Sequence, residues 1–179
     1  MISISIVTTF AALLRAINVG GTGKLLMTDL VKVCEKAGFT DVKTYIQSGN
    51  VVFNAKGTAA KVQATLEKAI AVKVGKPVGV FLRTANELDA VLADNPYTAE
   101  PPNRVLVVFL GEQLPKDALA TAKTPGGEQL ALHGRELYIF YPLGLGVSKL
   151  KVPSMGAGTA RNINTVTKLA AMAHATAKR

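Results

Sequence analysis

Apolar residues run almost unbroken from Val7 to Ile17, which predicts a buried strand. A different rhythm follows. Leu30, Val33, Cys34 and Ala37 stand at i, i+3, i+4 and i+7, the stripe of an amphipathic helix over 28–37, and Gly38 is placed to end it. Val42 to Gln47 and Asn50 to Asn54 are strand-like, and Ser48-Gly49 between them predicts a tight hairpin. Val62, Leu66, Ala69 and Ile70 mark a second helix over 59–74, and Val78, Val80 and Leu82 alternate as a fourth strand. The order is β-α-β-β-α-β, that of a ferredoxin-like unit.

The second half repeats the rhythm. A short helix is expected over 86–93, and Asp94 to Asn103 carries three prolines and predicts a linker. Arg104 to Leu110 is a strand, and Lys116 to Lys123 is a helix opened by Pro115. Glu128 to Leu132 and Arg135 to Tyr141 form a hairpin about His133-Gly134. Pro142 to Gly158 is glycine-rich coil, and Ala160 to Ala175 is a final helix. That is β-α-β-β-α, the same unit without its last strand. The expected fold class is α+β, with tandem ferredoxin-like units and antiparallel sheets. The expected boundaries are 1–84 for the first unit, 85–103 for a short helix and linker, and 104–179 for the second unit.

Composition narrows the setting. With 49% hydrophobic and 18% charged residues, the chain can bury a real core. No apolar run approaches the ~18 residues of a membrane helix, so no membrane partner is expected. The stretch MISISIVTTF lacks the basic region of a signal peptide, and the single cysteine, Cys34, allows no internal disulfide. A cytoplasmic location is the expectation. The formal charge is +9. The last acidic residue is Glu136, while Lys149, Lys151, Arg161, Lys168, Lys178 and Arg179 follow it. This asymmetry points to anionic partners: a phosphate-bearing small molecule, or weak and nonspecific nucleic acid.

The stretch RAINVGGTGK, Arg15 to Lys24, sharpens the question. A Walker A loop would need glycine at position 18 and Ser or Thr after the lysine, but Asn18 and Leu25 stand there. A G-x-G-x-x-G fingerprint fails at Leu26. Successive glycine amides can still form an anion-binding nest. In a sheet ordered 4-1-3-2, the loop leaving the first strand and the turn joining the second and third lie at one edge. Gly20, Gly21 and Lys24 are therefore expected beside Ser48 and Asn50, with Gly75-Lys76-Pro77 joining them. Farther on, Thr159 is expected to cap the last helix. Ile163, Val166, Ala170 and Ala173 make its apolar stripe, and Arg161, Thr165 and Lys168 its opposite face. If the basic C-terminal segment folds back, Arg15 and Arg161 frame one anion-binding cleft, each with a two-pronged set of donors.

Other chemistry is sparse. His133 and His174 have no partner at ligand spacing, so neither a metal site nor a hydrolase triad is expected, and no cofactor. Cys34 sits on an apolar stripe and is expected to be a buried, inert thiol. Glu87 and Asp89 are expected to face solvent, and Tyr138 and Tyr141 to serve packing or line a pocket. The third strand, NVVFNA, has Phe53 alone where an RNA-recognition sheet needs several aromatics.

RAINVGG, TYIQSGNVVF, RELYIFYPLGLGVSKL and TARNINTVTKL together closely resemble a bacterial family of uncharacterised proteins, domain-of-unknown-function family 1697. The resemblance spans about Phe10 to Leu169. It implies a small cytoplasmic α+β protein related to tandem ferredoxin-like units, and no activity. Ala16 stands where the family usually has glycine. The family's characteristic polar positions fall on Arg15, Asn18, Gln47, Ser48, Asn50, Arg161, Asn162 and Thr165. Three functions fit these residues: a binder of an anionic ligand, nucleotide or nucleic acid; a small metal-independent enzyme using Arg and Asn to stabilise an anionic transition state; and a protein-interaction module.

Overall fold

The computed structural model describes residues 6–17, 25–46 and 49–178. The fold is mixed α+β, with two four-stranded antiparallel sheets and four α-helices among the described residues. The chain divides into two compact units, Met1–Leu88 with Lys168–Arg179, and Asp89–Thr167. The last turns of the C-terminal helix group with the first unit in this division.

In the first unit, β1 (Val7–Leu14), β2 (Thr40–Tyr45), β3 (Asn50–Lys56) and β4 (Val80–Thr84) stand in the order β2-β3-β1-β4. Two helices, α1 (Met27–Lys36) and α2 (Ala59–Val74), complete the core. Leu30 and Cys34 from α1, and Val62, Leu66 and Ile70 from α2, are buried with Phe10, Ala12, Leu14, Val51 and Phe53 in one cluster. Phe39 stacks on Phe53 at 4.4 Å between ring centroids. Ala11, Leu13 and Val52, which point to the opposite face of the strands, are also fully buried. Burial on both faces is why the sequence of β1 reads as a continuous apolar run rather than an alternation. Thr58 caps α2 through the Lys61 amide, and Gly75, at φ 81°, ends it. Gly38, at φ 89°, follows α1 as expected.

In the second unit, β5 (Val105–Phe109), β6 (Gln129–His133), β7 (Glu136–Phe140) and β8 (Thr159–Asn162) take the order β6-β7-β5-β8. Val108, Leu110, Leu137 and Ile139 centre its core. Two further helices, α3 (Ala85–Ala93) and α4 (Ile163–Ala177), follow β4 and β8.

Two expectations are corrected here. No helix forms over 116–123. The Ala118, Ala120 and Ala122 amides bond three residues back, to Pro115, Asp117 and Leu119, and the Ala118 carbonyl accepts the Ser154 hydroxyl. An α-helix would need that carbonyl for the Ala122 amide, and a segment this short nucleates poorly. The final helix also starts later than Ala160. Thr159–Asn162 is a strand paired with β5, with Thr159 and Arg161 buried and Ala160 exposed between them. The second half therefore has the last strand it was expected to lack, and lacks the helix it was expected to have.

Candidate functional site

The first sheet gathers three chain segments at one edge. The Leu14 amide donates to the Gly49 carbonyl at 2.8 Å, and the Arg15 amide donates to the Gly79 carbonyl at 2.8 Å. These bonds clamp the end of β1 between the β2–β3 connection and the lead-in to β4. Gly49 is required where it stands. Its φ is +75°, and a Cβ there would meet the Leu14 Cβ at 3.0 Å and the Ile17 Cγ2 at 3.2 Å. Gly79 serves differently. A Cβ on it would lie 3.7 Å from the Arg15 Cβ, so the arginine stem runs over bare backbone. Arg15 itself is exposed.

The α1 helix starts at the same edge. Its first turn is tied to the last turn of α2 by an ion pair between Lys73 and Asp29, 3.6 Å apart. Its N-cap residue, Leu26, offers no side-chain hydrogen bond to the first amides of the helix. Lys76, in the turn leaving α2, is exposed. Asn18, Gly20, Gly21, Lys24, Gln47 and Ser48 lie outside the described residues.

Asn50 is fully buried, and its side-chain amide donates to the Tyr45 carbonyl at 3.1 Å. It closes the β2–β3 connection from inside. That connection is four residues long, since Tyr45 pairs with Asn50, rather than the two-residue hairpin expected.

Arg161, Asn162 and Thr165 stand in the second unit. Arg161 does not open a helix; it lies in β8, 7% exposed, opposite Val107. Its guanidinium donates to the Thr159 hydroxyl at 2.8 Å and the Ala160 carbonyl at 2.9 Å. Burial lowers its pKa to about 10, so it keeps its charge at neutral pH. Asn162, not Thr159, caps α4: its side-chain oxygen accepts from the Asn164 amide at 2.9 Å, and its side-chain amide donates to the Pro102 carbonyl. Thr165 is half-buried on the first turn of α4.

Arg83 was missed by the sequence reading. It is 2% exposed in β4, opposite Ala11, and donates to the Leu82 carbonyl at 2.8 Å. It is the counterpart of Arg161. Each arginine is the second-last residue of the strand before a helix, pairs with the first strand of its own sheet, and bonds the carbonyl of the residue before it. The signal was present in FLRTANEL and TARNINTV.

The remaining candidates settle into structural work. Cys34 is fully buried, and burial, with Glu35 beside it, pushes its thiol up to about 12, away from nucleophilic chemistry. Glu87 does more than face solvent: it accepts from the Thr84 amide at 2.8 Å while the Thr84 hydroxyl accepts from the Glu87 amide at 3.2 Å, a capping box for α3. Tyr138 is buried and donates to the Val91 carbonyl. His133 lies 2.8 Å from an Asp94 oxygen. Among the described residues, no group of three or more His, Cys, Asp and Glu could hold a metal ion, and no helix is long and apolar enough to cross a membrane.

Comparison with known proteins agrees with the sequence resemblance. The model of a family described as "Protein of unknown function (DUF1697)" matches residues 7–138. No curated protein matches. A solved structure of conserved bacterial protein SP0830 from Streptococcus pneumoniae is similar, with 26% identity, a TM-score of 0.78, and coverage of 94% of this chain and 99% of that one.

Proposed function

The chain belongs to the family of proteins of unknown function DUF1697, and from that premise we propose that it is a binder of a phosphate-bearing or other anionic ligand. The site is the edge of the first unit where β1, the β2–β3 connection and the lead-in to β4 meet. One observation carries the proposal: the paired hydrogen bonds from Leu14 to Gly49 and from Arg15 to Gly79, which leave an exposed arginine at the end of β1, just before the glycine-rich stretch in sequence. Arg15 supplies the forked donor, and Gly20, Gly21, Lys24 and Ser48 supply amides, charge and a hydroxyl. The start of α1, where Leu26 supplies no side-chain cap, adds the positive end of a helix. Asn50 acts from inside, holding the turn in place.

The strand orders β2-β3-β1-β4 and β6-β7-β5-β8 support two ferredoxin-like units in tandem, the second having exchanged its helices for coil. The equivalent arginines Arg83 and Arg161 support the same duplication. The ligand then belongs to one unit, because the glycine loop has no counterpart after β5. A cytoplasmic nucleotide or phosphorylated metabolite fits the chain's basic character.

A thermal-unfolding screen against nucleotides and phosphorylated metabolites tests this. A saturable rise in melting temperature with at least one phosphate compound is expected. A flat response to every phosphate compound, with stabilisation by uncharged ones instead, contradicts the proposal.

A further inference from the structure

The surface of the first unit carries a second feature, which runs along α1 and α2 and reaches the β1 edge only at its Lys76 end. Where α1 and α2 lie side by side, they leave an open cavity of about 730 Å³. Val33, Ala69 and Val72 form its floor, and Lys36, Lys68 and Lys73 its rim. A neighbouring cavity of about 460 Å³ shares Lys68 and Val72 and continues to Lys76 and Pro77 at the end of α2. The two make one groove along α2. Val72 is 79% exposed, a large apolar side chain left in water on a helix that buries Val62, Leu66 and Ile70.

We infer that this groove docks an acidic amphipathic helix of a partner protein. The length fits: from Thr65 to the cap residue Gly75 the groove follows α2 for ~15 Å, about three turns of a partner helix at 1.5 Å per residue. The charge fits more sharply. Four lysines line the two cavities and no carboxylate does among the described residues; Asp29 nearby is held by Lys73. An apolar floor wants leucine-like side chains on one face of the partner, and a lysine rim wants glutamates or aspartates flanking them. A nucleic-acid backbone would satisfy the rim but leave the floor in water.

Fluorescence anisotropy with a labelled synthetic helix tests the inference. The probe has leucines on one face and glutamates elsewhere. Two controls accompany it, one with lysines replacing the glutamates and one with alanines replacing the leucines. The glutamate–leucine peptide should bind saturably, and both controls at least about tenfold more weakly. Val72→Asp and Lys68→Glu should each weaken it about tenfold, and Lys68→Glu should improve binding of the lysine–leucine peptide. Val72 is exposed, so Val72→Asp should keep the wild-type melting temperature, and Arg15→Gln should leave peptide binding unchanged. Equal binding of the alanine control, indifference to Val72→Asp, or no saturable binding of the glutamate–leucine peptide overturns the inference. None of these results bears on the β1 edge.

Discussion

Ala16 holds a left-handed backbone, φ 54°, one residue past the clamp that Arg15 makes with Gly79. A side chain there costs roughly 1–2 kcal/mol relative to glycine, partly offset by the greater freedom glycine loses on folding. Ala16→Gly should therefore stabilise the chain by about 0.5–1 kcal/mol, read as a higher midpoint in urea. Gly49 makes the opposite case. Its positive φ and the 3.0 Å approach to the Leu14 Cβ leave no room for a methyl group. Gly49→Ala should cost about 2 kcal/mol or more by the same measurement, combining left-handed strain with overpacking. A Gly49→Ala variant as stable as wild type would mean that the clamp is looser than its geometry. Ala16 stood out in the sequence only through the resemblance to a family, and its dihedral is one that glycine adopts without strain. Arg83 and Gly79 were legible in retrospect: an arginine placed identically before two helices, and a glycine interrupting an alternating strand, where a close approach is the usual cause.

At the scale of elements, the helix over 59–74 and the strands β1, β3, β4 and β5 were legible because their apolar spacing matches what they bury. The region after β7 was not. Its order comes from tertiary hydrogen bonds that leave no periodic trace. Glu128 shows how: its carboxylate accepts from the Ser148 hydroxyl and the Gly126 amide, binding the coil after β7 to the start of β6. The Ser148 bond, helped by backbone amides, holds this carboxyl below its ordinary value of 4.5 despite opposing burial. A lowered folded-state pKa means the stabilisation is complete above the unfolded value and is lost as pH falls through the folded one. Acidification below about pH 4.5 should therefore destabilise wild type more than Glu128→Gln, seen as converging urea midpoints. The start of α4 was misplaced because Thr159 and Asn162 are both good caps, and only pairing with β5 decides between them. Asn162→Ala should cost about 1 kcal/mol through the lost cap, while Thr159→Ala loses no cap and should cost about 1–3 kcal/mol by taking the hydroxyl acceptor from the buried Arg161 guanidinium, both read as lower urea midpoints.

For the whole molecule, charge and the β1 edge are the legible features, and the chemistry at the edge is the least so. The charge of +9, with no acidic residue after Glu136, predicts weak association with nucleic acid that disappears as salt rises. Binding of an unrelated DNA duplex across a salt series checks this, and discrimination between sequences at physiological salt would point to a different surface chemistry. The strand order of the first sheet could be drawn from the order of its elements, and with it the convergence of three segments at one edge. The ligand could not, because glycine amides and an arginine recognise an anion by charge and fork rather than by a motif. The claim that matters most is that Arg15 contacts that anion. Calorimetric titration of wild type, Arg15→Lys and Arg15→Gln with the best phosphate compound from the thermal screen tests it directly. Losing the charged hydrogen bonds should cost ~1.5–3 kcal/mol in Arg15→Gln, roughly ten- to hundredfold in Kd, with an intermediate loss in Arg15→Lys and unfolding midpoints close to wild type. Equal affinity of all three proteins would contradict the account and move the anion away from the β1 edge.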